Sequence, residues 1–217
     1  MNDIREIKRL ASPAPKPQSL AWDGSILWMG SRETRRIYAI NPASWTVGWE
    51  CAAPGLPYGM TSVGRELRVL CSETADDHRI IRRCLPGTGF DDTFALLCPD
   101  DTGSQLGYDG RRLHVSQWYP KKVLALDADG NVERVITVPR GICGQVFVDG
   151  FLFLVTTDAE DSTEYFLTRV DLRPATPRID DLARVPFAAR ALAFDGVNFW
   201  TNHREQNQMV CFADPRR

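Results

Sequence analysis

His203 is the residue of this chain best suited to move protons. An unperturbed imidazole titrates near pH ~6.5, so it can take up and return a proton at neutral pH. Glu205 follows two residues on, and Glu33 and Glu73 supply further carboxylates, which with His203 make a candidate catalytic set. Arg190 and the glutamines Gln18, Gln105 and Gln145 form a second group. A guanidinium fork among amides suits a carboxylate or another planar oxyanion; the alternative is an arginine whose stem packs a channel and whose head bonds to carbonyls. Tyr58, Trp118 and Tyr119 could wall a ligand pocket, or serve packing alone. Cys143, in Gly141-Ile142-Cys143-Gly144-Gln145, is the one cysteine outside a predicted strand interior. Its flanking glycines would allow close approach of a ligand, but its thiol needs a base or cation nearby to act as a nucleophile.

These residues are scattered along 217 positions, and a repeat must gather them. Leu20-Ala21-Trp22-Asp23-Gly24 returns as Met60 to Gly64, Leu106 to Gly110, Val146 to Gly150 and Leu192 to Gly196. The closing glycines lie 40, 46, 40 and 46 residues apart (64−24, 110−64, 150−110, 196−150). A short apolar strand running into Asp-Gly, at a period in the forties, marks a β-propeller blade. The expected fold is all-β: a single five-bladed propeller with four antiparallel strands per blade. The blades span about 18–55, 56–101, 102–140, 141–187 and 188–214. The last has room for only three strands, so the segment 4–10 is expected to supply the fourth and close the ring, with Pro13, Pro15 and Pro17 leading to the first inner strand. Blades two and four carry six more residues each, expected at 73–79, 86–92, 158–165 and 173–181.

Propeller geometry predicts which residues meet. The inner strand of each blade starts at one mouth of the central channel, and the link from second to third strand returns there. Gln18, Tyr58, Ser104, Gln105, Cys143, Gln145 and Arg190 come from the strand starts; Arg32, Glu33, Glu73, Trp118, Tyr119, Asp158, His203 and Glu205 come from the links. Aligning the second strands puts Glu33, Glu73, Tyr119, Asp158 and Glu205 in one column. Carboxylates at one level of a ring, with Asp158, Glu73 and Glu33 as ligands, could bind a divalent cation such as calcium or magnesium, which would polarise a substrate oxygen. The alternative is that the chain simply meets water there. His114 falls mid-strand in the column of Trp28, Arg68, Phe153 and Trp200, and reads as a core histidine.

The net charge of −2 gives no field drawing the chain to nucleic acid or anionic membranes, and no apolar run is long enough to span a bilayer. The N-terminus lacks the apolar core of a signal peptide, which makes a cytoplasmic protein the expectation. Six cysteines without a Cys-x-x-Cys pair argue against a structural zinc site, and most fall within strands, where a free thiol behaves as a small hydrophobe. Serine-hydrolase, phosphate-loop, dinucleotide and zinc-protease signatures are absent.

Ser19 to Gly24 with Ile26-Leu27-Trp28-Met29, and Ala191 to Gly196 with Asn198-Phe199-Trp200, resemble the blades of the superfamily that holds the streptogramin lyases, the senescence-marker/gluconolactonase group and the plant-type glutaminyl cyclases. The resemblance spans nearly the whole chain and implies the fold. Five blades look most like the cyclases, whose Thr-Gln-Gly-Leu is matched at Gln18 by Pro17-Gln18-Ser19-Leu20; their Gly-Glu-Gly-Leu glutamate is replaced by Tyr58 in Pro57-Tyr58-Gly59-Met60. It therefore carries over the fold and Gln18 as a pocket residue. The expected function is acid/base chemistry, of lyase, cyclase or hydrolase type, on a small polar molecule at the channel mouth. The alternative is a non-catalytic propeller that binds a ligand or a protein partner.

Overall fold

The computed structural model describes residues 1–74 and 78–217. Part of the expected extension at 73–79 therefore lies outside the described residues. The strands are β1 (Glu6–Ala11), β2 (Pro17–Trp22), β3 (Leu27–Ser31), β4 (Arg36–Asn41), β5 (Thr46–Ala52), β6 (Leu56–Val63), β7 (Glu66–Ser72), β8 (Ile80–Leu85), β9 (Gly89–Leu97), β10 (Gln105–Tyr108), β11 (Leu113–Gln117), β12 (Lys122–Leu126), β13 (Val132–Thr137), β14 (Gly141–Val148), β15 (Phe151–Thr157), β16 (Tyr165–Asp171), β17 (Arg178–Val185), β18 (Ala193–Phe194), β19 (Asn198–His203) and β20 (Gln208–Ala213). They form five antiparallel sheets of four: β2 to β5, β6 to β9, β10 to β13, β14 to β17, and β18-β19-β20-β1. The fold is a five-bladed propeller. Among the described residues no helix is long and apolar enough to cross a membrane.

The N-terminal strand closes the ring. β1 pairs with β20 from Glu6 opposite Phe212 to Ala11 opposite Gln208, while Asp3 bridges to Arg184 of the fourth sheet. β1 is the outermost strand of the fifth sheet, so the ring is fastened by pairing between the two ends of the chain. Part of the extra chain at 86–92 and 173–181 lengthens the outer strands β9 and β17, which have 9 and 8 residues and register shifts. The stretch at 158–165 is mostly a loop between β15 and β16.

The Asp-Gly repeat works as a cap on the inner hairpin. Asp23 Oδ1 accepts from the backbone amides of Ser25 and Ile26 at 2.9 and 2.8 Å, and its Oδ2 accepts from Trp28 Nε1 at 2.6 Å. Asp195 repeats this with Val197, Asn198 and Trp200 Nε1. The glycine after each aspartate has positive φ, 106° at Gly24 and 94° at Gly196, which a side chain would resist. Where the ring residue changes, the motif weakens: His114 Nε2 lies 3.8 Å from Asp109.

The inner strands approach closely around the axis. A Cβ on Gly144 would come within 2.5 Å of the Ala191 carbonyl carbon. Around this centre the sheets bury interlocking aliphatic and aromatic side chains, among them Leu27, Met29, Val69, Val115, Phe153 and Phe199. That burial is what holds a blade, which cannot cover both its faces alone.

Candidate functional site

The links from second to third strand and the starts of the inner strands meet at one end of the ring, around a cavity of about 410 Å³. Its lining brings together Gln18, Tyr58, Gln105, Trp118, Tyr119 and Arg190 from the expected substrate-binding set, with Arg32, Ser104 and Cys143. Sequence reasoning missed Arg79, Arg204 and Glu160. Arg79 and Glu160 lie beyond the aligned columns, on the two longer links, and Arg204 falls between the columns at His203 and Glu205. The signal was available in composition: an arginine stands in the second-to-third link of three blades.

Arg190 is the central group. Its Nη1 donates to Tyr165 Oη at 3.1 Å and contacts Cys143 Sγ at 3.0 Å. Both partners are neutral, and among the described residues no carboxylate lies within ion-pairing distance of Arg190. Arg204 stands close by, donating from Nη1 to Gln18 Oε1 at 2.9 Å and from Nε to Glu205 at 3.0 Å. Burial, then repulsion from Arg190 and Arg32, hold the Arg204 guanidinium below its usual range. Arg32 and Arg79 lie over the Tyr58 ring, 4.6 and 3.6 Å from its centroid. Gln105 is fixed by donating from Nε2 to the Arg190 carbonyl at 3.2 Å.

Trp118 and Tyr119 form a T-shaped pair with centroids 4.9 Å apart, and Tyr119 Oη donates to Glu160 at 2.7 Å. The glycines beside Cys143 serve the protein itself. A Cβ on Gly141 would collide with the Trp118 indole, and Gly144 admits the neighbouring inner strand. Cys143 lies inside β14, at a register shift between Ile142 and Gly144, and not outside a strand. Its burial pushes the thiol up despite Arg190, which disfavours the thiolate a nucleophile needs.

Several expected residues lie elsewhere. His203 ends β19, bridges to Ala189, and stacks on Phe187 with ring centroids 5.4 Å apart. Burial and Arg9 lower its pKa, its Nδ1 is buried without a hydrogen-bond partner, and it does not line the mouth cavity. Glu33 and Glu73 are exposed on links outside the lining. Glu205 is held by Lys16 at 2.5 Å and by Arg204. Asp158 pairs with Arg140 at 3.1 Å. The expected carboxylate ring for calcium or magnesium does not assemble: among the described residues no three acidic, histidine or cysteine side chains converge as metal ligands. Of the column, only Tyr119 lines the cavity among the described residues; Glu33 and Glu73 are exposed, and Asp158 and Glu205 already face cations. Gln145 sits deeper, beside a channel cavity of about 120 Å³, donating to the His114 carbonyl at 2.6 Å.

A larger cavity, of about 520 Å³, opens at the other end between the third and fourth sheets. Two of its arginines are paired, Arg112 with Glu133 and Arg173 with Asp171, while Arg134 donates to the Leu172 carbonyl. His114 there is buried, which lowers its pKa.

No family model and no curated protein match the sequence. Solved structures do. The glutaminyl cyclase of Myxococcus xanthus superposes with a TM-score of 0.71 at 11% identity, covering 97% of both chains. Regucalcin, a calcium-binding protein of Agrobacterium tumefaciens, gives 0.60 at 11% identity over 98% of this chain and 95% of its own. The aldose sugar dehydrogenase of Streptomyces coelicolor, in its PQQ-bound form, gives 0.58 at 12% identity over 97% and 98%. At such identities the likeness establishes the shared propeller fold alone.

Proposed function

We propose that this propeller takes a small carboxylate-bearing molecule into the arginine-rich mouth cavity. One observation carries the reading: Arg190 is largely buried against neutral partners while a second guanidinium, Arg204, is pressed close to it. Concentrated like charge is costly in a partly desolvated site, and an anion lying between the two forks relieves it. The planar fork of arginine matches a carboxylate in two parallel hydrogen bonds. Gln18 and Gln105 orient the forks by bonding to Arg204 and to the Arg190 backbone. Trp118 and Tyr58 supply flat walls for the rest of the molecule.

The test is calorimetric titration with a panel of simple aliphatic and aromatic carboxylates, each beside its primary amide. Saturable binding of at least one acid, with its amide weaker by roughly 30-fold or more, is expected, and Arg190→Met abolishes it. Equal binding of acid and amide, or an Arg190→Met protein that still binds, would overturn the assignment.

An acid/base reaction at the same site is the second reading. It is favoured by Glu160, a carboxylate of the lining, whose oxygen already accepts a hydrogen bond from Tyr119. In that case Glu160→Gln removes turnover of a bound carboxylate while leaving its affinity within about threefold.

A further inference from the structure

Cys51 and Cys84 come from different blades. Cys51 lies in β5, the outer strand of the first sheet, and Cys84 in β8 of the second, yet their sulfurs are 3.8 Å apart. Cys84 is completely buried, while Cys51 is partly open to solvent. Trp49, Cys71 and Phe90 pack around the pair. On the open side the guanidinium of Arg36, paired with Glu50 at 3.0 Å, stands near Cys51.

We propose that Cys51 and Cys84 are a peroxide-oxidisable dithiol whose disulfide ties the first blade to the second. The contact from Cys84, then the charge of Arg36, favour the Cys51 thiolate. Solvent reaches this sulfur, so it meets the oxidant first. The Cys51 thiolate attacks one oxygen of hydrogen peroxide, the O–O bond breaks, and the departing hydroxide takes a proton to become water. Cys51 is then a sulfenic acid. Cys84 gives up its proton, its sulfur attacks Cys51 sulfur, and the sulfenic oxygen leaves as a second water. Two thiols lose two electrons and the peroxide gains two. Closing the bond brings the sulfurs from 3.8 Å to about 2.05 Å. The other four cysteines are buried. Burial raises the Cys71 and Cys98 thiols to about 12 and the Cys211 thiol to about 11, which leaves little thiolate to react.

The fully reduced full-length chain is exposed to hydrogen peroxide, alkylated, and digested without reductant. A linked Cys51–Cys84 peptide accounting for most of the lost thiol, and reversed by dithiothreitol, is expected. Cys84→Ser should leave a Cys51 sulfenic acid that dimedone captures, and Cys51→Ser should protect Cys84. The idea fails if Cys51 proceeds to sulfinic acid while Cys84 stays alkylatable, if both thiols survive the peroxide, or if Cys84 oxidises as quickly in the Cys51→Ser protein. None of these outcomes depends on occupancy of the mouth cavity.

Discussion

The two ends of the ring are built on opposite rules. At the Asp-Gly end, charge is answered locally: Asp23 and Asp195 each receive two backbone amides and a tryptophan N–H, and Arg112, Arg173 and Arg216 each meet a carboxylate. At the mouth, among the described residues, Arg190 meets a thiol and a phenol but no carboxylate, and Arg204 shares Glu205 with Lys16. The first end is where the sequence repeats; the second is where it stops repeating. Repetition across blades reflects what every blade needs in order to fold, and the breaks in it leave room for recognition.

Substitutions at the two ends should therefore separate stability from binding. The largest effect is expected at Asp195→Ala, which strands the indole N–H of Trp200, a residue only 1% exposed, together with two turn amides. Loss of such partners costs about 3 kcal/mol of unfolding free energy. Chemical denaturation should show it, with carboxylate affinity of the surviving folded protein unchanged. If affinity fell with stability, the two ends would not be independent.

Arg190→Met is the converse. It removes a charge that no carboxylate balances among the described residues and fills the space with an apolar side chain, so stability should stay level or rise by about 1 kcal/mol while binding disappears. A loss above about 2 kcal/mol would mean that Arg190 is chiefly a structural strut through Tyr165, and the proposed anion site would lose its main support.

The sequence made one end far more legible than the other. Asp23-Gly24 and its copies carry their own geometry, because a turn aspartate bonds to amides two and three residues on and glycine accepts the positive φ. The same periodicity located the closing strand by showing what the fifth blade lacked. Mouth residues such as Gln18, Tyr58, Gln105 and Arg190 were accessible because strand starts are fixed by topology. The links after the second strands were legible only in part: Arg32, Trp118 and Tyr119 reach the cavity as expected, but a fixed offset does not show which link residues turn inward. Counting at a fixed offset therefore selected Glu33 and Glu73, which are exposed, in place of Arg79 and Arg204, which line the cavity. His203 shows the same limit. It sits at the end of β19 as counted, but its ring turns to Phe187, and only packing could reveal that.

The smallest expected effect sharpens the comparison through acid titration. Burial would raise the Asp23 carboxyl, but hydrogen bonds from Ile26, Trp28 and Ser25 outweigh it and hold the group below its ordinary value. Hydrogen bonds from Thr93 and Arg83 hold Asp91 to about 2, and those from Arg173 hold Asp171 to about 2. A carboxyl depressed in the folded state contributes stability that is fully present above its unfolded pKa, near ~3.9, and is lost as pH falls through the folded value. Melting temperature should therefore hold from pH 7 to about pH 4.5 and decline steadily towards pH 2. Asp23→Asn keeps the acceptor for the turn amides but cannot titrate, so its melting temperature should start lower at pH 7 and fall less steeply below pH 4. Parallel curves for the two proteins would show that Asp23 contributes nothing to the acid limb, and that the repeated cap stabilises through its hydrogen bonds irrespective of charge.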